Sequence, residues 1–497
     1  MPEKKYIGAI DQGTTGTRFI LFNREGNLIT SAYKEHQQFF PANGYVEHSP
    51  TEILDNTKLV MKKAVNQAKI DPQTIVGIGI TNQRETTVVW DRKGVPVANA
   101  VVWQDVRTEQ ICEKLRTEGH EADIIAKTGL RAATYFSGPK IAWLLENHAL
   151  KQKATTGELF FGTIDTWLIW NLTHERTHAI DPTNASRTML MDLQSLEWSD
   201  DMLALLHVPD AVLPEIRPSS DPDFYGTCNI FDSPIPICGD LGDQQAALFG
   251  QACFERGMAK NTYGTGCFLL LNTGKKPMTS QNGLLSTVGF SFSKNDTYYA
   301  LEGSIAIAGA AIQWLRDQMG FIQTAAESED LARSVPDSSG IFFVPAFVGL
   351  FAPYWNSKAR GGIFGLTRAT TRAHIIRAAL EAICWSTRDV LDAMKADAQL
   401  DLKELRVDGG ATKNNLLLEI QADYLGVKCV RPQIEETTSL GAAYMAGLAT
   451  GFWKTLSEIQ EKWKIDRIFT PKLDSAKREQ VYQIWKKAVN RTLDWLD

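Results

Sequence analysis

The chain's 497 residues predict two large or three ordinary domains, and its 44% apolar and 22% charged residues are typical of soluble globular proteins. The net charge of −6 argues against a nucleic-acid partner, and seven scattered cysteines without a Cys-x-x-Cys motif predict buried thiols in a reducing compartment. No apolar run reaches the roughly 18–20 residues that span a bilayer, and the N-terminus lacks a signal-peptide core, so we expect a cytoplasmic protein without membrane insertion.

The first motif is a Gly/Thr-rich turn, Asp11 to Arg18, between two apolar runs, Tyr6 to Ile10 and Phe19 to Phe22. Two β-rich runs joined in this way predict a hairpin. Free backbone N–H groups and threonine hydroxyls can bind phosphate there, Arg18 adds positive charge, and Asp11 can hold a metal ion through water. An ordinary surface hairpin explains the same residues, so this motif alone leaves both interpretations open.

The next elements are a helix from about Glu52 to Lys69 and a buried strand, Ile75 to Ile80. Polar residues follow that strand, at the position where open α/β sheets bind ligands. Among them, Arg84 donates and Glu85 accepts hydrogen bonds, a combination that suits neighbouring hydroxyls of a polyol. A local surface ion pair is the alternative interpretation.

Three aromatic residues, Trp103, Tyr135 and Phe268, lie near polar loop ends. Such rings can form one apolar wall for a small carbon chain, while a phenol hydroxyl orients a substrate hydroxyl. Ordinary core aromatics are the alternative. Helices are predicted to begin over Gln104 to Arg107 and to run from Ile141 to Glu146.

A carboxylate flanked by glycines precedes a helix predicted over Gln244 to Gly250. The helix N-terminus favours the ionised form of Asp243, which suits a general base that accepts a hydroxyl proton during phosphoryl transfer. An N-cap role for Asp243 is compatible with this function. Asp240 is a competing candidate, but it lies further from the helix start.

A second Gly/Thr turn, Asn261 to Cys267, is followed by the apolar run Phe268 to Leu271. Gly13 and Gly264 are 264 − 13 = 251 positions apart, about half of the 497 residues. Two phosphate-type hairpins half a chain apart indicate a duplicated domain with a nucleotide held between the halves. We therefore expect an N-terminal domain over residues 1–250 and a C-terminal domain over residues 251–497.

After its hairpin, the second half is predicted to contain helices and short strands, among them Ile341 to Val344 and Leu405 to Val407. Gly309 and Gln313 lie one turn apart on the first helix. A turn at Gly409 and Gly410, between a strand and a helix, allows close approach of a flat or charged ligand. The predicted helices are Ile305 to Met319, His374 to Lys395, and a small-residue helix from Glu436 that should pack tightly.

Taken together, these motifs resemble the FGGY family of carbohydrate kinases over essentially the whole chain, and most closely its members that phosphorylate glycerol. The resemblance implies an α/β, duplicated actin-like ATPase fold, in which each half is built on an RNase H-like mixed sheet and the active site lies in the cleft between them. The most specific matches are Asp11 to Arg18, Gly79 to Thr87, Gly242 to Gln245 and Tyr263 to Phe268.

The resemblance also implies a reaction and its site residues. ATP, with Mg²⁺, would phosphorylate glycerol to sn-glycerol 3-phosphate, with Asp243 as the general base and Asp11 and Asp243 holding the metal, partly through water. A homodimer or homotetramer is implied as well. The residues implied for glycerol are Arg84, Glu85, Tyr135, Asp243, Gln244, Trp103 and Phe268. The residues implied for the nucleotide are Thr14, Thr15, Gly16, Arg18, Thr265, Gly309, Gln313, Gly410 and Asn414.

Other functions remain open on the sequence. A related kinase acting on a pentulose or larger polyol would share most motifs, although Arg84 and Glu85 with Trp103 and Phe268 suit a three-carbon substrate. An actin- or Hsp70-like ATP-driven binding machine would turn over ATP without regard to any polyol. A scaffold without catalysis is disfavoured, because no catalytic position is visibly replaced.

Two local departures from the family pattern stand out. Gly16 and Thr17 occupy positions where Ser-Ser is frequent, which still leaves backbone donors for phosphate. Ala133 and Thr134 precede Tyr135 where Asp-Pro is frequent, so we expect a different local loop there.

The region from Gly226 to Pro236 bears on regulation. Some bacterial relatives carry there either Gly-Gly-Thr-Arg, for fructose 1,6-bisphosphate, or a phosphorylatable histidine. This chain has Gly-Thr-Cys-Asn and no histidine in that region, so we predict that neither control operates. Initial rates with fructose 1,6-bisphosphate at physiological concentration should match those without it, and full inhibition would contradict the prediction.

Overall fold

The computed structural model describes residues 3–496. The strands of the first half are β1 (Tyr6–Gln12), β2 (Gly16–Phe22), β3 (Leu28–Glu35), β4 (Glu47–His48), β5 (Ile75–Asn82), β6 (Val88–Asp91), β7 (Ala100–Val101), β8 (Leu159–Gly162), β9 (Ala179–Ile180), β10 (Met191–Asp192), β11 (Glu197–Trp198), β12 (Glu215–Ile216), β13 (Gly226–Cys228) and β14 (Ile235–Gly242). Its helices are α1 (Pro50–Gln67), α2 (Glu109–Thr117), α3 (Glu121–Thr128), α4 (Ser137–Asn147), α5 (Lys151–Thr155), α6 (Ile164–Leu172), α7 (Pro182–Ala185), α8 (Asp200–Leu206) and α9 (Asp243–Gly250).

The second half begins with another hairpin. Its strands are β15 (Ala259–Tyr263), β16 (Cys267–Gly274), β17 (Leu285–Ser293), β18 (Asp296–Ile305), β19 (Phe342–Val344), β20 (Gly362–Phe364), β21 (Glu404–Asp408), β22 (Lys428–Pro432) and β23 (Ile465–Phe469). Its helices are α10 (Gly309–Asp317), α11 (Glu327–Arg333), α12 (Arg372–Ala398), α13 (Asn415–Leu425), α14 (Thr437–Ala449), α15 (Leu456–Lys462) and α16 (Ser475–Asn490).

Each half is built on one mixed sheet. The first sheet has the strand order β13-β14-β5-β1-β2-β3, and the second has the order β17-β18-β16-β15-β21-β22-β23. In the first, β1 pairs antiparallel with β2 and β2 with β3, whereas β1 pairs parallel with β5 and β5 with β14. In the second, β15, β16 and β18 repeat the antiparallel set, and β21 and β22 repeat the parallel one. The shared topology confirms the predicted duplication.

Local sequence patterns located most of these elements. Both predicted hairpins form, with Asp11 opposite Arg18 in the first and Tyr263 opposite Cys267 in the second. The Ser49 side chain caps α1 by accepting a hydrogen bond from the backbone N–H of Glu52, at 3.2 Å. All seven cysteines are buried, as the sequence predicted.

Three predicted helix starts are wrong. Helix α2 begins at Glu109, because the Asp105 carboxylate accepts hydrogen bonds from the backbone N–H groups of Arg107 (2.8 Å) and Val46 (2.6 Å) and holds a turn there. Helix α10 begins at Gly309, because Ile305 is still paired with Cys267 in the sheet. Helix α4 begins earlier than predicted, at Ser137.

Helix α14, from the second half, lies directly on the first half. A Cβ atom on Gly441 would lie 1.9 Å from the Ala246 carbonyl oxygen in α9, and a Cβ atom on Gly79 in β5 would lie 2.1 Å from the Ala442 oxygen. These backbones therefore touch, which requires glycine at both positions. The small-residue helix predicted from Glu436 thus packs tightly, and it joins the two halves.

Within residues 3–496, no helix is both long enough and apolar enough to cross a bilayer.

The effect of Gly441→Ala on the stability of the fold tests this contact, because helix propensity and steric overlap predict changes of opposite sign. Helix propensity alone would make Gly441→Ala stabilising by about 0.5–1 kcal/mol. Because the new methyl group overlaps the α9 backbone, we expect instead a destabilisation of about 1–3 kcal/mol. The midpoint of thermal unfolding should fall for Gly441→Ala and change little for Ala449→Ser, a partly exposed position near the end of the same helix. A higher midpoint for Gly441→Ala would contradict the packing.

Candidate active site

The site lies where three parallel strands of the first sheet end together. Asp11 in β1 is paired with Thr81 in β5, and Gly242 in β14 is paired with Asn82 in β5. Arg84 and Glu85 follow β5 directly, and Asp243 follows β14. The sheet therefore brings residues that are far apart in sequence to one edge, the usual ligand-binding edge of α/β proteins.

Asp243 is the first residue of α9, and its carboxylate is partly exposed. Its side chain is 28% exposed, whereas the Arg84 side chain beside it is 2% exposed, with 3.3 Å between Arg84 Nε and Asp243 Oδ1. Asp243 Oδ1 also accepts a hydrogen bond from the backbone N–H of Gln244, at 2.8 Å. Burial raises the pKa of the Asp243 carboxyl and Asp11 adds to the rise, whereas Arg84 and Lys260 oppose it. A carboxylate with a raised pKa suits proton acceptance near neutral pH.

Arg84 and Glu85 belong to a buried cluster of four charged residues. Glu302, in β18 of the second half, accepts a hydrogen bond from Arg84 Nη2 at 3.0 Å and one from Arg187 Nη2 at 3.0 Å. Arg187 also donates from Nε to Glu85 Oε1, at 2.7 Å. The cluster formed by Arg84, Glu85, Arg187 and Glu302, which we call the Arg–Glu cluster, has two positive and two negative members. The surface ion pair considered for Arg84 and Glu85 is wrong, because both side chains are 2% exposed. Their closest contact, from Arg84 Nε to Glu85 Oε1, is 4.0 Å, which is longer than the contact of Arg84 with Glu302 and that of Glu85 with Arg187.

The pKa values of the two carboxyl groups of the Arg–Glu cluster are shifted in opposite directions. Burial opposes ionisation of Glu302, but Arg187 and Arg84 overcome it and lower its pKa to about 2. Burial raises the pKa of Glu85, even though Arg84 and Arg187 act against it. Glu85 also has φ of +63°, in the left-handed region that residues with a side chain seldom occupy. Such strain is typical of functional positions that the surrounding structure holds in place.

The three predicted aromatic residues come together beside the Arg–Glu cluster. The Trp103 ring centroid lies 5.7 Å from that of Tyr135 and 6.3 Å from that of Phe268, both in edge-to-face geometry. Arg84 lies over the Phe268 ring, with its Cζ 5.9 Å from the centroid. The Tyr135 hydroxyl accepts a hydrogen bond from Arg84 Nη2 at 3.4 Å, and burial raises its pKa, so its own proton remains available for donation. Trp103 Nε1 donates to Thr14 Oγ1 at 3.0 Å, which links this wall to the first hairpin.

Gln244 is held by a lysine of the second half. Lys260 in β15 is buried, and its Nζ donates to Gln244 Oε1 at 2.6 Å and to Thr262 Oγ1 at 2.8 Å. Burial lowers the pKa of Lys260 to about 8. This places a second cationic group, besides Arg84, close to Asp243.

The first Gly/Thr turn is closed by a hydrogen bond from Gly13 N–H to the Gly16 carbonyl, at 2.9 Å. Thr15 is exposed and Thr14 is half-buried, while Gly16 fits against Tyr33 so closely that a Cβ atom would lie 2.5 Å from the tyrosine oxygen. Arg18 pairs with Glu436, just before α14, and Asp11 Oδ2 accepts a hydrogen bond from Ser439 Oγ in α14 at 2.8 Å. Residues of the second half therefore hold both charged groups of this hairpin.

The second Gly/Thr turn supports the start of α10. Its carbonyls accept hydrogen bonds from the backbone N–H groups of Gly309 (3.0 Å, to Gly264) and Ala308 (2.8 Å, to Thr265). A Cβ atom on Gly309 would lie 2.5 Å from the Gly264 oxygen, so this contact needs glycine. Gln313 is exposed one turn along α10.

The Gly-Gly turn packs against the same hairpin. A Cβ atom on Gly409 would lie 2.5 Å from the Tyr263 carbonyl, while Gly410 faces open space. Asn414 caps α13 by accepting a hydrogen bond from Leu417 N–H, at 2.9 Å. The structure thus groups Thr265, Gly309 and Gly410 around one turn; Asn414 follows close behind it in the chain.

The segment from Asp181 to Arg187 supports the site from the first half. Asp181 caps α7 by accepting hydrogen bonds from the backbone N–H groups of Thr183 (3.0 Å) and Asn184 (2.8 Å). Thr183 Oγ1 in turn accepts a hydrogen bond from Gly242 N–H at 2.8 Å, immediately before Asp243. This polar segment therefore fixes both the start of α9 and the position of Arg187.

Arg187, Lys260 and Glu302 are site residues that sequence reasoning missed. In the sequence, each of the three stands out only as a single charged residue in an otherwise uncharged stretch. That signal gives no partner, since Glu302 and Arg84 are 218 positions apart.

The carboxylates of the site, Asp11 and Asp243, suit a magnesium ion that is bound partly by water and substrate, and not a metal ion whose ligands all come from the protein. Among residues 3–496, no cluster of three or more histidine, cysteine, aspartate or glutamate side chains could hold a metal. Asp11 is close enough to Asp243 to raise the pKa of its carboxyl. One or two carboxylates, with waters and substrate phosphates, are the usual ligands of Mg²⁺.

Comparison with known proteins places this geometry in a family. Residues 6–250 match the N-terminal domain and residues 259–450 the C-terminal domain of the FGGY family of carbohydrate kinases. Glycerol kinase 2 of Thermotoga maritima is 54% identical over 99% of both chains, and glycerol kinase of Haloferax volcanii is 54% identical over 100% of this chain and 99% of the relative.

Solved structures of two kinases have the same fold as this chain. Plasmodium falciparum glycerol kinase with ADP superposes with a TM-score of 0.92 at 40% identity, covering 99% of each chain. A xylulose kinase of Lactobacillus acidophilus shares the fold, with a TM-score of 0.88 at 22% identity over 98% of each chain. The duplicated, actin-like α/β fold is thereby confirmed, and the chain belongs to the FGGY family of carbohydrate kinases.

Proposed function

We propose that this kinase transfers the γ-phosphoryl group of ATP to a terminal hydroxyl of glycerol, giving sn-glycerol 3-phosphate and ADP. The observation that carries the proposal is the convergence of Asp243, Arg84, Glu85 and Tyr135 under an aromatic wall, within a chain 54% identical to proteins named glycerol kinase. The proposal includes glycerol uptake and catabolism as the setting of the reaction.

Acceptor binding is assigned to side chains with complementary hydrogen-bonding roles. Arg84 donates and Glu85 accepts, so together they can hold adjacent hydroxyls of a polyol. Tyr135 keeps its proton and donates it to a hydroxyl, since its oxygen already accepts from Arg84. Trp103 and Phe268 cover the carbon chain. Gln244, oriented by Lys260, completes this set.

Asp243 is proposed as the general base. Its raised pKa and its partial exposure suit proton acceptance from the attacking hydroxyl. Phosphoryl transfer asks the protein mainly for positioning and for stabilisation of charge, so the fixed start of α9 matters as much as the carboxylate itself.

The nucleotide is assigned to the two hairpins and the elements beside them. Thr14, Thr15, Gly16 and Arg18 supply donors from the first half, and Thr265 supplies its hydroxyl and backbone from the second. Asp11 and Asp243 would hold Mg²⁺, partly through water, and the ion would neutralise charge on the phosphate oxygens. The residues assigned to the rest of the nucleotide are Gly309, Gln313, Gly410 and Asn414.

Several coarser features belong to the same proposal. We place the boundary between the two domains after Gly250, and closure of the domains over both substrates would exclude water, which otherwise competes as acceptor. A homodimer or homotetramer in the cytoplasm remains the expected assembly and location.

Release of ADP from Mg-ATP, measured with and without glycerol, tests the function. Turnover that depends on glycerol supports it. Turnover that instead depends on a pentulose or a larger polyol would reassign the acceptor, and ATP turnover indifferent to every polyol would favour an ATP-driven binding machine.

Replacement of the base gives the first mutational prediction. Asp243→Asn keeps the size of the side chain and removes its ability to take a proton, so turnover should fall by ~10²–10⁴. Steady-state ADP release at saturating glycerol and ATP measures this. Asp200→Asn is the matched control, because Asp200 is also the first residue of a helix but is exposed in α8. Near wild-type turnover in Asp243→Asn would remove Asp243 from the role.

Tyr135→Phe tests the acceptor site with the loss of one hydroxyl. Because the Tyr135 proton is free for the acceptor, we expect the KM for glycerol to rise roughly 2- to 10-fold, the effect of one neutral hydrogen bond. The KM for ATP should hold steady. Tyr482→Phe removes a buried hydroxyl that donates to Asp389 at 2.7 Å in the second half, and it should leave both KM values unchanged. Equal glycerol KM values in the wild type and Tyr135→Phe would contradict the assignment.

A further inference from the structure

Glu302 connects the acceptor site to the opposite half of the molecule. It lies in β18, an interior strand paired on both sides, where it is opposite Leu270 of β16 and Leu285 of β17. Its side chain is fully buried, and it contacts two arginines that both belong to the first half. Ser304 Oγ adds a third hydrogen bond to Oε1, at 3.1 Å.

Glu302 fixes the orientation of the Arg84 guanidinium group. Both Arg84 terminal nitrogens reach Glu302, one to each carboxylate oxygen, so the two planar groups face each other. Bidentate pairs of this kind set the direction of the fork as well as its position. The remaining Arg84 donors then point toward Asp243, the Gln245 side-chain oxygen (3.2 Å) and the Tyr135 oxygen (3.4 Å).

Glu302 also acts on Glu85 through Arg187. The Arg187 guanidinium group lies between the two carboxylates, with Nη2 on Glu302 (3.0 Å) and Nε on Glu85 (2.7 Å). Arg187 Nη1 is buried and has no hydrogen-bond partner in residues 3–496, so these two carboxylates accept the hydrogen bonds of the group there, while the Tyr135 and Phe136 rings pack against it. One carboxylate of the second half therefore orients both the donor and the acceptor assigned to the polyol.

Stability alone does not account for this arrangement. Taking four charged groups out of water is costly, and buried ion pairs are often no more stabilising than apolar side chains of similar volume. A site whose first contacts must be held to a fraction of an ångström, by contrast, needs supporting groups on rigid elements. The interior strand β18 is such an element.

We propose that Glu302 is a positioning residue for acceptor binding, so that the acceptor site of the first half is complete only when β18 of the second half stands against it. The inference deepens the proposed function and rests on it for the identity of the acceptor. It assigns no proton transfer and no direct contact with glycerol to Glu302.

Glu302→Gln tests the inference, because it keeps the shape of the side chain, removes its charge and turns an amide donor toward an arginine. The KM for glycerol should rise roughly 10- to 100-fold, the range for loss of a hydrogen bond to a charged group. The KM for ATP should stay within about twofold, since the lost interaction serves the acceptor. Glu302→Asp restores the charge on a shorter side chain and should give an intermediate KM for glycerol.

Glu381→Gln is the matched control for burial and charge. Glu381 is also a buried glutamate of the second half, and it pairs with Arg377 of its own helix at 2.8 Å and with Ser338 Oγ at 2.8 Å. Its replacement should lower the thermal midpoint and leave the KM for glycerol unchanged. The midpoint and both KM values are measured for all variants and for the wild type.

The outcomes separate the inference from the function on which it rests. If the wild type does not use glycerol, the proposed function fails, and the same KM comparison is made with the polyol that it does use. If the wild type uses glycerol and Glu302→Gln has an unchanged KM for it, only the inference fails. Parallel rises in both KM values would overturn it as well, because they would indicate a general structural role. If Glu302→Gln does not fold, an unchanged glycerol KM in Glu302→Asp overturns the inference.

Discussion

Helix α14 touches the first half backbone to backbone at Gly441 and at Gly79. Neither contact leaves space for a side chain. That contact determines the positions of both acidic groups at the edge of the first sheet. Asp243 begins the helix against which α14 packs, and Asp11 accepts a hydrogen bond from Ser439 of α14. Since packed interiors transmit small displacements instead of absorbing them, a shift of α14 would move both carboxylates together. The chemistry of the first half is thus supported by a helix from the second.

Within that support, burial and charge give each acidic residue a different role. Glu302 is held ionised by two arginines, while burial raises the pKa values of Glu85 and Asp243. Titratable groups whose environments move their pKa values apart are a common basis for dividing acid and base roles. Here the ionised anchor is fully buried, whereas the side chain of the carboxylate assigned as base is 28% exposed.

Local patterns predicted the parts of this site that depend on neighbouring residues, and missed those that depend on distant ones. The two hairpins and a helix predicted from Gln244, one residue after its actual start, follow from turn glycines and apolar runs, which a short stretch of sequence contains. The starts of α2 and α10 were wrong because an Asp105 side chain and a strand pairing at Ile305 override local helix preference. Arg84 and Glu85 were expected to act as neighbours, but their charges are satisfied by Glu302 and Arg187, and no local pattern could identify those partners.

The duplicated halves differ in what each carries between its parallel strands. Between β5 and β14 the first half holds a long insertion with Arg84, Trp103, Tyr135 and Arg187, whereas β21 and β22 of the second half are separated by little more than α13. The two Gly/Thr turns, by contrast, lie on strands that the two sheets share. In the proposed function, most residues assigned to the acceptor therefore come from this insertion and from the start of α9, whereas residues assigned to the phosphates come from the duplicated strands. Phe268 and Glu302 are exceptions, because both come from the other repeat, so a different insertion would still have to fit this ring and this carboxylate.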